Sequence, residues 1–119
     1  MEKVNIAEKL ARFSEHWSPK IIAELNGQEV RLAKFKGAFD WHSHANEDEM
    51  FLVVSGSFVM EFRDKKVELG EGEMIVVPRG VEHRPVAAEE CSVMLFEPAG
   101  VVNTGDAPAS EKTNIAERI

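Results

Sequence analysis

Three histidines and one glutamate fall in two short blocks of this 119-residue chain, and imidazole with carboxylate is a transition-metal ligand set. The first block holds a His-x-His pair and, after four intervening residues, a glutamate. The second block holds one histidine, far along the chain. In an extended strand, alternate side chains face the same way, so paired histidines can bind one ion. The four residues are His42, His44, Glu49 and His83.

The surrounding sequence indicates how these residues could be brought together. A polar stretch at 45–48 precedes Glu49, and the run 50–54 after it is typical of a strand. Glu49 is therefore predicted to begin a strand, from which its carboxylate can turn toward the histidine pair. His83 follows a Pro-x-Gly turn. If the sheet closes into a barrel, all four side chains can meet at one mouth.

The two blocks resemble the two motifs of the cupin superfamily. The first motif is matched by Gly37, His42, His44, Glu49 and Gly56. The second is matched by Gly72, Pro78, Gly80 and His83, with Ala87 where asparagine is usual. The resemblance covers residues 37–87. It implies an all-β, double-stranded β-helix (jelly-roll) barrel with a metal held by His42, His44, Glu49 and His83. The chain looks most like the small single-domain cupins labelled mannose-6-phosphate-isomerase-like.

The ligand types do not select the metal. Zn, Mn, Fe, Ni and Cu follow a generic affinity order, so the expectation is one divalent transition metal ion of unassigned identity. A histidine ligand needs its outer nitrogen held by a further group. Asp40, Glu47 and Glu82 are candidates for that role, although a residue of this kind is more often simply a solvated surface charge.

Composition narrows the function further. The 21 acidic residues outnumber the 14 basic ones, and the formal net charge of −7 argues against nucleic-acid binding. No segment has the length or apolarity of a membrane span or signal peptide. Cys91 is the lone cysteine, so an intrachain disulfide is excluded. A cytoplasmic protein without membrane partners is the expectation.

A single cupin domain over residues 1–119 is predicted, with a short helix capped by Asn5. Residues 1–20 form the helix and lead-in, 21–97 the barrel and 98–119 a C-terminal loop and tail. An Asn-Gly hairpin turn at 26–27 joins the first two strands. The predicted strands are 21–25, 29–35, 39–44, 50–54, 57–62, 67–69, 74–77 and 93–97.

The sequence favours two functions. The first is a metal-dependent enzyme acting on a small polar molecule, either a sugar phosphate or a keto or hydroxy acid, of isomerase or dioxygenase type. No catalytic residue can be assigned, although Arg79 and Arg84 flank the His83 loop and could bind an anion. The second is a non-catalytic cupin that binds or senses a small molecule. The resemblance also implies a homodimer. Trp41 could form a subunit contact in it or could equally be buried within the monomer.

Overall fold

The computed structural model describes residues 1–119 and confirms the predicted all-β jelly-roll fold. The chain forms one short helix, α1, and eight strands. Their bounds are α1 Ile6–Leu10, β1 Lys20–Leu25, β2 Gln28–Ala38, β3 Glu49–Ser55, β4 Ser57–Phe62, β5 Lys66–Gly70, β6 Met74–Val77, β7 His83–Pro98 and β8 Glu117–Arg118. The one helix, at five residues, is far too short to span a bilayer.

Strand β7 joins the two layers of the jelly roll. One of its edges pairs with β2 along nearly its whole length. Its other edge pairs with β4 through residues 83–86 and with β3 through residues 92–96. The outer strands β5 and β6 extend these two layers, and β1 and β8 continue from β2. The sheet does not close into a continuous hydrogen-bonded barrel, which differs from the closure considered from the sequence.

A bend in β7 separates its two halves. Phe35 of β2 opposes Cys91, whereas Gly37 opposes Ala87 only two residues further along β2. The exposed residues 88–90 of β7 therefore bulge out opposite one residue of β2. This bulge turns both strands, so that the aromatic side chains of the two layers face each other. The Phe35 and Phe58 rings meet edge to face across this core at 5.4 Å.

The N-terminal helix forms as predicted and packs on the outside of the jelly roll. The Asn5 side chain caps it by accepting a hydrogen bond from the Glu8 backbone N–H at 2.9 Å. A second, smaller apolar cluster then buries Phe13 with Ile22 and Leu32. The hairpin turn is also confirmed, because Asn26 and Gly27 both have positive φ, at 52° and 76°.

Two parts of the chain differ from the sequence prediction. Residues 39–44 form an irregular loop rather than a strand, with only an isolated β-bridge at His42. Strand β7 begins ten residues earlier than expected, at His83, whereas the C-terminal tail, for which no strand was predicted, contributes β8, which pairs in parallel with β1. Each difference depends on long-range pairing, which local periodicity does not report.

Candidate metal centre

The structure brings the four predicted ligand residues together. The nearest ligand atoms of His42, His44, Glu49 and His83 all lie within 4.8 Å of one another. All four side chains are buried, with at most 5% of any residue exposed. The cluster lies inside the jelly roll, where the 39–48 loop meets the starts of β3 and β7.

Backbone hydrogen bonds set the loop against the sheet. His42 and His83 exchange two of them, from His83 N–H at 2.9 Å and from His42 N–H at 3.1 Å. The carbonyl of His44 accepts from the Gly80 N–H at 2.8 Å. Glu49 begins β3, as the sequence predicted. The convergence of the two histidine blocks therefore comes from an isolated bridge and a turn rather than from strand alternation.

Backbone carbonyls, not acidic side chains, hold the outer nitrogens of two histidines. His42 Nδ1 lies 2.9 Å from the Asp40 carbonyl, and His83 Nδ1 lies 2.8 Å from the Val81 carbonyl. Because a carbonyl only accepts, each Nδ1 must carry a proton, and each Nε2 keeps its lone pair for the centre. Two of the three candidate carboxylates have other partners, since Asp40 accepts from Ser110 and Glu82 pairs with Arg63.

Burial keeps the first histidine neutral. Loss of hydration, together with repulsion from His83, lowers the pKa of His42 to about 4. A neutral imidazole is the form that binds a metal ion. Near neutral pH, His42 is therefore already in its ligand form.

A second glutamate, Glu97, lies beside Glu49, and the sequence analysis did not select it. Burial by itself raises the pKa of Glu49, but polar contacts with Glu97 and the two histidines His44 and His83 outweigh this and hold it well below its usual range. Burial and the neighbouring Glu49 carboxylate raise the pKa of Glu97 well above its usual range. These opposite shifts favour Glu97 over Glu49 as the place for a proton in this pair, and Glu49 is the better candidate for a metal ligand.

The carboxyl groups form a buried row across three strands. Glu29 of β2 pairs directly with Glu97 of β7, and Glu49 opens the next strand. One guanidinium, Arg31, meets this row, with its Nη2 2.6 Å from Glu29 and its Nη1 3.2 Å from Glu97. The sequence signal for Glu97 was its place on the inward face of β7, in alternation with Val93 and Leu95.

The polar atoms of the cluster fit a divalent ion. His44 Nε2, His83 Nε2 and Glu49 Oε1 are buried without a hydrogen-bond partner. His44 Nε2 is 2.9 Å from Glu49 Oε1, but the two groups lack hydrogen-bond alignment. Unpaired buried polar atoms are costly, and a cation between them would satisfy all three at once. The cation would also offset the net negative charge of the buried row of carboxyl groups.

The spacing of the donor atoms is compatible with this interpretation. Ligand atoms bound at about 2.1 Å lie about 3 Å apart when adjacent and about 4.2 Å apart when opposite. The widest separation in the cluster, 4.8 Å, therefore requires the donors to close by a few tenths of an ångström each.

A small apolar cavity adjoins the cluster. Its volume is about 30 Å³, enough for about two water molecules. His42 and Glu49 form its polar end, and its walls include Trp17, Phe35 and Phe39. The space beside the ligand residues is therefore lined mainly by aromatic rings.

The two arginines that flank the His83 loop are already paired with acidic residues. The backbone N–H and Nε of Arg79 both face Asp48 Oδ1, at 2.9 and 3.3 Å. Arg84 Nε donates to Glu61 at 2.8 Å and its guanidinium lies over the Trp41 ring. Neither arginine forms part of the cavity lining. The anion-binding role considered from the sequence gains no support from these contacts.

The family now follows from comparison with known proteins. The profile of the cupin domain, Cupin_2, matches residues 28–97, which is more than half of the chain. The chain belongs to the Cupin_2 family. The profile spans both histidine blocks and strands β2 to β7, so the resemblance seen in the sequence is confirmed at the level of a small cupin.

Three relatives illustrate the membership. The uncharacterized protein YdbB of Bacillus subtilis (strain 168) is 39% identical over 80 residues, and the match covers 66% of this cupin and 65% of that protein. This cupin thus spans somewhat less than two thirds of that relative's length. A cupin-2 domain containing protein from Shewanella frigidimarina NCIMB 400 is 47% identical, with a TM-score of 0.79 over 80% of this chain and 93% of that one. Protein NMB1881 from Neisseria meningitidis is 35% identical, with a TM-score of 0.76 over 82% and 100% of the two chains. These relatives do not support the mannose-6-phosphate-isomerase-like label, which stays a prediction.

Proposed function

We propose that this cupin is a metal-dependent enzyme that acts on a small molecule at His42, His44, Glu49 and His83. The observation that carries the proposal is the set of buried donor atoms that have no hydrogen-bond partner and converge on one point. We further infer that residues 1–119 act as one domain, since the N-terminal lead-in and the C-terminal segment both pack on the jelly roll.

The walls of the cavity limit the substrate. No lysine or arginine lines it, and a carboxylate already stands at its polar end. Apart from the proposed metal ion, a phosphate dianion would meet no cation there, and the Asn103 amide already donates to the Trp17 and Lys112 carbonyls, so the sugar-phosphate version of the proposal is the weaker one. We favour a keto or hydroxy acid, or a phenol, whose oxygen atoms reach the ligand cluster. The cavity of about 30 Å³ is smaller than such a molecule, so the walls at Phe35, Phe39 and Phe51 must move apart to admit its apolar part.

A bound divalent ion would polarise a substrate oxygen or lower the pKa of a bound water. The chain itself supplies the orientation. The carbonyls of Asp40 and Val81 fix the His42 and His83 rings, and Glu97 is favoured over Glu49 as the place for a proton. The aromatic walls exclude water and so strengthen the electrostatic interactions at the cluster.

A second candidate function is favoured by the closed form of the site. The ligand residues are almost fully buried and the adjoining cavity holds only about two waters. A site of this kind can hold an ion, or sense a small ligand, without turnover. The isomerase-like and cytoplasmic assignments, and the exclusion of nucleic-acid partners, stay predictions from the sequence.

One experiment separates these functions. Protein loaded in turn with Mn, Fe, Zn, Ni or Cu is mixed with a panel of keto acids, hydroxy acids, phenols and sugar phosphates. The proposal expects metal-dependent substrate loss for one of the first three groups, followed by mass spectrometry of the products. Thermal stabilisation without product indicates the binding function. Turnover that persists after chelation, with no bound metal, would contradict the metal-dependent proposal.

We also propose that two copies pair through an uncharged outer face of the jelly roll. This face is formed by β3, β6 and the second half of β7, with Met74 and Val76 each 52% exposed. Met50 lies opposite both Val76 and Phe96, so the apolar side chains are continuous across the three strands. In a chain with a net charge of −7, an uncharged patch is the surface on which two identical copies avoid like-charge opposition. Trp41 is less suited, because Arg63 stacks on its ring at 3.9 Å.

Placing a charge on this face is expected to separate the copies. Val76→Glu should weaken a dimer by at least about 100-fold, because the carboxylate appears on both sides of a two-fold interface. Ile115→Glu is the matched control, since Ile115 is 87% exposed and lies outside the face. Sedimentation velocity across a concentration series measures the effect. A parent protein that stays monomeric throughout, or a Val76→Glu variant that stays dimeric, would contradict this proposal.

A further inference from the structure

The backbone between the two paired histidines is held by the C-terminal segment, residues 99–119, which lies outside the matched cupin domain. Ser43, between His42 and His44, makes all of its polar contacts with Asp106. Its backbone N–H donates to Asp106 Oδ1 at 2.7 Å and its hydroxyl to Oδ2 at 3.0 Å. The Asp106 N–H in turn donates to the Ser43 carbonyl at 3.0 Å. Asp106 thus provides the hydrogen-bond partner of the N–H, the hydroxyl and the carbonyl of Ser43.

The residue before Asp106 packs directly on the His44 ring. A Cβ atom added to Gly105 would lie 2.3 Å from the Ser43 carbonyl oxygen and 3.1 Å from both Nδ1 and Cε1 of His44. A separation of 2.3 Å to a backbone atom cannot be relieved by a side-chain rotation, so the loop or the segment would have to shift. Glycine at position 105 therefore permits a contact between the segment and a ligand ring that no larger residue allows.

The segment is itself firmly anchored, which lets it restrain the loop. The Arg31 guanidinium donates to the Val101 carbonyl at 2.9 Å, and Thr104 is only 1% exposed. The Asn103 side-chain amide donates to the Trp17 carbonyl at 3.2 Å and its oxygen accepts from the Asn114 N–H at 2.8 Å. These contacts tie the segment to β2 and to the N-terminal lead-in. The contact between Asn103 and Asn114 also joins the first part of the segment to its last part.

A second contact reaches the other side of the histidine pair. The Ser110 hydroxyl donates to an Asp40 carboxylate oxygen at 2.5 Å, and the Asp40 carbonyl is the group that orients His42. The segment therefore touches the loop just before His42 and just before His44. The backbone N–H of Ser43 lowers the pKa of Asp106, so its contacts with Ser43 are charge-assisted hydrogen bonds.

We propose that residues 99–119 belong to the metal centre. Within this segment, Gly105 and Asp106 are positioning residues that hold His44 in its ligand orientation. The inference rests on the proposed metal site. It assigns to the C-terminal segment a role in metal retention that the matched domain, residues 28–97, does not include.

Two substitutions test the segment and each has a matched partner. Gly105→Ala introduces the clash. Gly100→Ala likewise places a side chain on a left-handed backbone, at φ +86°, but no atom lies within 4 Å of the new Cβ there, so it is the matched control. Asp106→Ala removes the contacts to Ser43, whereas Asp106→Asn keeps an oxygen that accepts from the Ser43 N–H. Outer contacts of this kind are worth about 10–100-fold in metal affinity. That loss is expected for Gly105→Ala and Asp106→Ala, while Gly100→Ala and Asp106→Asn should stay within about 3-fold of the parent.

Metal affinity and the rate of Zn²⁺ release to a chromophoric chelator are the readouts, at a temperature where circular dichroism finds each variant folded. If one variant does not fold, the other still decides. Equal affinity and release rate in Gly105→Ala or Asp106→Ala and in the parent would overturn the inference and leave the proposed function intact. A parent that binds no metal would instead overturn the proposed function.

Discussion

His44→Ala should lower the affinity for a divalent metal by more than about 100-fold, because it removes a ligand itself rather than a group behind one, whose loss costs about 10–100-fold. The His44 Nε2 atom is buried without a hydrogen-bond partner and faces Glu49 at 2.9 Å. Metal content after purification without chelators should fall from about one ion per chain to a small fraction of that value. The parent should gain about 4 kcal/mol of stability at a metal concentration 1,000 times its Kd, and the variant, with a Kd at least about 100-fold higher, should gain less than about 1.5 kcal/mol.

His16→Ala is the matched control for this experiment. His16 is exposed, lies outside the cluster and contacts Glu90 at 2.8 Å. The same substitution there should leave metal content and metal-dependent stability unchanged. Thermal unfolding in excess chelator checks that both variants fold without metal. Full metal occupancy in His44→Ala would refute the ligand assignment.

Arg31→Met should lower the free energy of unfolding by about 3–5 kcal/mol, because breaking the buried ion pair leaves the Glu29 carboxylate uncompensated. Arg31 is 2% exposed and is the guanidinium that meets Glu29 and Glu97. Its removal also frees the Val101 carbonyl, to which it donates. Urea unfolding of metal-free protein measures the loss without a contribution from metal binding.

Arg63→Met provides the comparison on the surface. Arg63 pairs with Glu82 at 3.1 Å, and both side chains are more than half exposed. An exposed pair contributes less than about 1 kcal/mol, since water and salt screen it. Equal losses for the two arginine variants would mean that the interior row does not depend on Arg31.

The chain alone determined which residues form the cluster. Histidine and glutamate are rare together on apolar strands, and their order along this sequence matches the cupin motifs. The residues of the cluster and the family of the chain could therefore both be predicted. Local patterns also placed Asn5 at a helix start and Asn26-Gly27 at a hairpin turn, because both depend on residues close in sequence. These features need no knowledge of distant neighbours.

Tertiary structure decided how the cluster is built and what supports it. His42 and His44 converge from a loop rather than a strand, because the loop backbone is paired with His83 and Gly80. Glu97 joins the site because the pairing of β7 places it beside Glu29 of β2 and near the start of β3. Hydrogen bonds between residues far apart in sequence follow from strand register and chain reversal, and these are properties of the whole fold. For the same reason, only the folded chain brings Asp106 against Ser43.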